Sequence, residues 1–394
     1  MSTTPNSLPA WSFHIQASAT SVPVDSVLTL PLKLSVALNV ILFTYLIVGA
    51  AMSKRRAKQA RASQSPTFAG AVRSTEKKVR AKPVVTSLPE AVEQLKIMSD
   101  GKKYLDAGDL LDAIRAETSG SAGSAGSSWG GGWGNADAQK QLDALLANGE
   151  LEGRIKTARD ARQDLSSDDG FELVQQDATM KVLQRLTPER ELTVKIEAVL
   201  EGVNPGQCLM IWREASLFPL WFPFVTGGKI LADVSPSEMV CHILVETFFM
   251  SVDMCLWGWA CDNMDEGETL LCVRPVRSYT KNLPPGVKVP PPGAGATKST
   301  LLGALRAHAV IDILVEPLDG SVRFAFQMSD TLPPFMPSWA INYVVQNAMV
   351  EIFGNMKKIA TKMAKKDPSS EHLQHVNRPE YKETKAWVNS LLGE

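Results

Sequence analysis

The sequence predicts an α+β fold over residues 136–366, a strongly bent antiparallel sheet gripping one long C-terminal helix. Three observations predict it. Leu192, Val194, Ile196, Ala198 and Leu200 alternate with Lys195 and Glu197, the period of a strand with one apolar face. Ile341, Val345, Ala348, Ile352, Met356, Ile359 and Met363 recur at spacings of three and four, one apolar stripe down a helix. The segments run in the order helix, three strands, short helix, roughly six strands and long helix.

The chain has 394 residues, 44 % of them hydrophobic and 21 % charged, which is ordinary globular chemistry. Its net charge of −1 gives no global basic excess, so no nucleic-acid partner is expected. Cys208, Cys241, Cys255, Cys261 and Cys272 form no CxxC pair, which speaks against a zinc ribbon or a disulfide scaffold. They read as reduced thiols packed in a core.

From the N-terminus, residues 1–33 form an extension, and Leu34 to Met52 is a run of nineteen residues without a charge. A membrane span needs about 20 apolar residues, so this run predicts a transmembrane helix. Lys54, Arg55, Arg56 and Lys58 follow it, whereas only Lys33 precedes it. The expectation is a single-pass protein, N-terminus out and C-terminal domain cytosolic, with the organelle open. A cleavable signal ending at Gly49-Ala50-Ala51 and a buried core helix are the competing readings. Residues 53–87 carry ten Lys or Arg and one acid, Glu76, a basic linker suited to an anionic membrane surface.

Residues 88–117 predict a helical hairpin broken at Ala107-Gly108, with Asp109 as N-cap, acting as a spacer. Residues 118–135 are a Gly/Ser linker that contains Trp129 and Trp133. A helix over 136–164 follows, with Gly149 and Gly153 weakening its middle. Residues 171–175 and 180–186 read as a hairpin, and Asn204-Pro205 opens a short helix through Trp212. Strands are predicted near 226–233, 238–249, 252–261, 268–277, 305–316 and 321–328, with a Pro/Gly-rich loop at 278–302. Phe324, Phe326 and Met328 share one face of the last strand. The tail 367–394 carries Trp387, Val388, Leu391 and Leu392, which offer a docking face to a protein partner or to the domain itself. The 88–117 helices offer another.

Phe335-Met336-Pro337-Ser338-Trp339-Ala340-Ile341-Asn342-Tyr343, followed by Gln346-Asn347, resembles the start of the last helix in START (StAR-related lipid transfer) domains. The spacing is similar to the phosphatidylcholine transfer protein branch. Thr247 to Asp253, Gly170 to Val174, and Val199-Leu200-Glu201 with Asn204-Pro205 and Trp221 resemble further segments of that family. The resemblance covers residues 136–366 and implies a helix-grip (START/Bet v 1-like) fold with a lipid cavity between sheet and helix. It implies a lipid ligand held by Phe218, Trp221, Phe222, Asp253, Trp257, Trp259, Arg274, Phe324, Phe326, Ile341, Val345, Ala348 and Ile352. Periodicity alone favours a solid core, and the resemblance reverses that reading. In the choline-lipid relatives an arginine and an aspartate flank the tryptophan; here those positions are Phe218 and Phe222. A sterol, or another lipid with a small polar head, is therefore expected, met by Asp253 and Arg274, with Asp312 and Glu246 as further charged candidates. His242 and His308 read as structural histidines.

No HExxH or P-loop pattern is present, so no enzyme activity, cofactor or metal is expected. The expected function is lipid binding and transfer between membranes; lipid-sensing regulation is the alternative, and an enzyme on the same fold is a further one.

Overall fold

The computed structural model describes residues 87–118, 136–246, 251–264, 267–277, 280, 283–296, 304–334, 336, 341–342 and 344–392. The chain divides into two compact units, Met1–Ser65 and Pro66–Glu394, and every described residue belongs to the second. The expected span at 34–52, nearly all of the basic linker and the Gly/Ser linker lie outside the described residues. Among the described residues no helix is long and apolar enough to cross a membrane. The expected single-pass placement with a cytosolic domain is corrected accordingly and does not stand.

The elements are α1 (Leu88–Asp100), α2 (Tyr104–Thr118), α3 (Ala136–Leu146), α4 (Glu150–Ser166), β1 (Glu172–Gln176), β2 (Met180–Leu186), β3 (Glu191–Glu201), α5 (Pro205–Arg213), a 3-10 segment (Ala215–Leu220), β4 (Val225–Ser235), β5 (Glu238–Glu246), β6 (Ser251–Asn263), β7 (Glu268–Pro275), β8 (Ala304–Arg306), β9 (Val310–Leu318), β10 (Ser321–Thr331), α6 (Met349–Ala364), α7 (Glu371–Val376) and α8 (Lys382–Leu392). Nine strands form one antiparallel sheet in the order β1-β2-β3-β10-β9-β7-β6-β5-β4, and short β8 pairs in parallel with the start of β6. The β4–β5 ladder shifts register at three places. Such bulges bend and twist a strand, which suits a curved sheet that must wrap a helix.

The two faces of the sheet are both covered. On one, α5, the 3-10 segment and the C-terminal helices pack against Val194, Ile196, Ile313, Val315, Phe324 and Phe326. On the other, α1–α4 pack against Trp259, Cys261, Leu270, Cys272, Leu314 and Ala325. Residues 88–118, read from sequence as a spacer, are therefore part of the core of this unit. Leu95, Leu105, Leu110 and Ile114 are fully buried there, so the apolar face expected to receive a partner is already packed. Val376 and Val388 of the tail are buried likewise.

Several local expectations shift for physical reasons. The α1–α2 turn falls at Gly101–Lys103 and not at Gly108. Gly108 sits inside α2, where an added Cβ would lie 2.7 Å from Ile155 Cγ2 and 2.9 Å from Arg159 Cζ. Glycine there allows α4 to approach. The long predicted helix splits at Gly149, whose φ of +66° the helix cannot contain. In β3 the alternation is correct, but Lys195 does not face water: its side chain is fully buried, with Nζ donating to Asp168 Oδ1 at 2.9 Å and lying 3.1 Å from Glu197 Oε1. A π-helical turn at Val344–Ala348 precedes α6. This wide turn shifts the phase of the stripe, bringing Met349, Phe353 and Ala360 in beside Ile352, Met356 and Met363, while Ile359 is half-buried. Each large apolar side chain so buried contributes about 1.5–3 kcal/mol. All five cysteines are free and buried, as expected.

Candidate functional site

A cavity lies between the sheet and the helices of the first face, with about 860 Å³ of empty space, solvent at its mouth included. The end of α5 contributes Leu209, Trp212 and Arg213; the 3-10 segment and the residues after it contribute Phe218, Phe222 and Val225. The strands contribute Met239, Cys241, Ile243, Met254, Leu256, Leu271, Val273, Ile311, Ile313 and Met328, and α8 adds Trp387. Nearly every lining atom is apolar; the charged lining side chains are Arg213 and Glu238.

The local chain explains how α5 is placed. Asn204 Oδ1 accepts from the Gln207 N–H at 2.9 Å and Gln207 Oε1 accepts from the Asn204 N–H at 3.0 Å, a reciprocal cap, with Pro205 in the first turn. Trp212 then projects onto the sheet and stacks on Phe326, with ring centroids 5.3 Å apart, and on Phe324 at 6.5 Å. Trp221 meets Trp212 and Phe218 edge to face, each at 5.4 Å. Its carbonyl accepts from Asn355 Nδ2 at 3.0 Å, which ties the mouth to α6.

Of the residues expected to hold lipid, Phe218 and Phe222 line the cavity. Trp221, Phe324 and Phe326 support that wall from behind. Ile341, Val345 and Ile352 belong to the packed core, Ala348 is buried, and none of the four lines the cavity. Asp253, Trp257 and Arg274 face the opposite side of the sheet. Asp253 is fully buried, 2.9 Å from His242 Nε2 and held by the Arg306 guanidinium, whose Nη2 also donates to the Pro290 carbonyl at 2.8 Å. Burial pushes the Asp253 carboxyl up, but hydrogen bonds from Arg306 and His242 outweigh it and hold the carboxyl below its ordinary value. Arg274 Nη1 donates to Asp312 Oδ1 at 2.7 Å. Trp259 borders the cavity, but its ring lies under the Arg154 guanidinium, 5.2 Å from ring centroid to Cζ. Glu238 is taken up on that same far side. It receives Arg154 through both carboxylate oxygens, at 2.6 and 3.2 Å, and the Trp257 indole N–H at 2.8 Å.

The sequence reading missed Trp212, Arg213 and Trp387. Arg213 ends α5 with its side chain 7 % exposed; its Nη2 is bound by Asp233 and by the Ser235 carbonyl at 3.1 Å. Next to it, Glu214 is fully buried, and its Oε2 accepts from the Tyr381 hydroxyl at 2.8 Å and lies 3.3 Å from His375 Nδ1. Burial raises the Glu214 carboxyl against the pull of Tyr381 and His375. His372 of α7 is pushed down to about 4 by burial, so it is neutral at neutral pH. These contacts dock the tail helices on α5, which brings Trp387 over the cavity.

No family profile and no curated protein matches the chain. Solved structures similar to it in fold include a STAR-related lipid transfer protein fragment from Xanthomonas axonopodis, 18 % identical, with a TM-score of 0.39 over 49 % of this chain and 99 % of that one. Human StAR-related lipid transfer protein 5 is 15 % identical, with a TM-score of 0.43 over 57 % of this chain and 98 % of that one. The Zhui aromatase/cyclase from Streptomyces sp. R1128 is 11 % identical, with a TM-score of 0.31 over 44 % of this chain and 95 % of that one. The curved antiparallel sheet with helices packed on it is the α+β arrangement that the sequence predicts. Such distant likenesses carry no residue-level inference, and function is read from the chain's own cavity.

Proposed function

We propose that this chain holds one lipid in the cavity between the sheet and α5, and transfers it between membranes. The cavity itself carries the reading: a partly open space with an almost wholly apolar wall to which Phe218 and Phe222 contribute. Water gains little in such a space, whereas an acyl or ring-system ligand removes its apolar surface from solvent. Phe218 and Phe222 offer no charged pair to a choline head, which favours a small head group. Catalysis would require a positioned acid, base or nucleophile. Here Glu238 is committed to Arg154 and Trp257 on the far face, and the thiol of Cys241, which lines the wall, is pushed up to about 12 by burial. A binding role fits these groups better than chemistry does. Mass spectrometry of the full chain purified under native conditions should find lipid at close to one per chain. An empty protein that also extracts no lipid from vesicles would overturn the proposal, and preferential uptake of phosphatidylcholine would overturn the small-head reading.

A second reading is regulation, because Trp387 lines the cavity while Lys382, Glu383, Lys385 and Ala386 of the same helix are exposed. Ligand occupancy would then bias how α8 docks.

Delivery needs a membrane surface. Lys358, Lys362, Lys365 and Lys366 are exposed at the C-terminal end of α6. Basic groups beside an anionic leaflet gain roughly 1 kcal/mol each. The full chain should bind vesicles containing anionic lipid, more weakly as salt rises. Replacing these four lysines by glutamine should cut that binding about tenfold or more. Binding indifferent to salt, lipid charge and these substitutions would remove the surface from the proposal.

A further inference from the structure

The cavity end of α5 contains a cation whose hydrogen-bonding capacity the protein does not use. Arg213 lines the cavity, its side chain is 7 % exposed, and its guanidinium is anchored on one nitrogen only, Nη2, by Asp233 and the Ser235 carbonyl. Nε and Nη1 are buried and meet no acceptor among the described residues, and neither does the Trp212 indole N–H. An arginine cannot shed its proton, and buried donors without acceptors are costly, so such a group persists where something else accepts from it. The neighbouring carboxylates do not serve. Asp233 is 60 % exposed at Nη2, Glu238 is held by Arg154, and Glu214 turns one oxygen to Tyr381 and His375 while its other, buried oxygen meets no donor among the described residues, Arg213 included.

We infer that Arg213 reads the ligand's head group, and that this head is an anionic oxygen acceptor, a carboxylate or a phosphate, on an apolar tail that fills the space toward Met254, Ile311 and Met328. The inference rests on the lipid-binding reading and adds the head-group chemistry to it. An ammonium head is disfavoured at the same point, since it would bring a second cation to a buried one.

The test uses cis-parinaric acid and its methyl ester, which share a fluorescent tail and differ in head charge, titrated into the full chain at neutral pH. The acid should bind about tenfold or more tightly than the ester, the worth of a hydrogen bond to a charged group. In Arg213→Leu this preference should vanish while the affinity for the ester stays, which also shows that the variant is folded. Where that variant does not fold, Arg213→Lys keeps a cation beside Asp233 without Nε and Nη1, and should lower the preference about threefold or more. No preference in the parent chain, or one that survives both substitutions, overturns the inference while the ester's binding leaves the lipid reading standing. If neither probe enters the parent chain, both readings fall. Displacement of the acid by palmitate or by hexadecyl phosphate then assigns the head as carboxylate or phosphate.

Discussion

Asp253→Ala should destabilise the domain by about 3–5 kcal/mol, the cost of removing one partner of a buried ion pair. Asp253 is fully buried, and the Arg306 side chain facing it is 13 % exposed. Truncation leaves that guanidinium without its carboxylate and His242 without its partner at 2.9 Å. The link from β6 through Arg306 to the Pro290 carbonyl loosens as well. In a unit of this size the melting temperature should fall by roughly 5–10 °C. Lipid affinity of the folded fraction should not change, because the cluster lies on the face of the sheet away from the cavity. A variant that melts like the parent chain but loses lipid would place Asp253 in the ligand site after all. The pH dependence has a definite sign. The folded carboxyl is held below the unfolded value of about 3.9, so its stabilisation is complete above that pH. It is lost as pH falls from there through the folded value. Asp253→Ala should therefore flatten the acid limb of the stability curve.

The misplacement of Asp253, Trp257 and Arg274 shows where the sequence stops being informative. In β6, Met254, Leu256 and Gly258 line the cavity, whereas Asp253, Cys255 and Trp257 point the other way. Both sets are largely apolar because both faces are covered, by the cavity wall on one side and by α1–α4 and the 283–296 loop on the other. Period two then identifies a strand but not which of its sides is inward. Where one face held charges, as in β3, the alternation gave the correct cavity-side set, yet Lys195 on the other side is buried under the Asp168 turn. Aromatic parity in β10 was legible for the same reason, and Phe324 and Phe326 do face the Trp212 side. Gly108 read as a break because glycine weakens helices; the contact with Ile155 and Arg159 that requires it lies about 50 residues away and leaves no local mark. Arg213 escaped notice because a lone arginine ending a short helix looks like a favourable C-terminal charge. Only the fold shows that its outer nitrogens are enclosed.

Gly228→Ala should disable the mouth of the cavity. Gly228 lies in β4 opposite Ile243 of β5, and a Cβ built there would stand 1.8 Å from the Ala215 carbonyl oxygen and 2.8 Å from its carbon. Those are backbone atoms, so no rotamer change relieves the clash; the 3-10 segment or the edge strand must move. Overpacking typically costs about 1–3 kcal/mol, and a backbone obstacle at this distance puts the substitution at the upper end or beyond. The 3-10 segment carries Phe218 and leads into Trp221 and Phe222, so displacing it also spoils the wall that meets the ligand. The expected result is a melting temperature lowered by several degrees together with loss of bound lipid. Gly227→Ala is the matched control. A Cβ at Gly227 would meet only Leu244 Cβ at 3.7 Å, an ordinary contact, so that variant should keep both stability and lipid. If Gly228→Ala behaves like Gly227→Ala, the close approach of β4 to the 3-10 segment does not position the cavity mouth. If Gly228→Ala folds with near-parent stability yet binds no lipid, the segment has shifted as a unit, and Phe218 and Phe222 are confirmed as the wall the ligand needs.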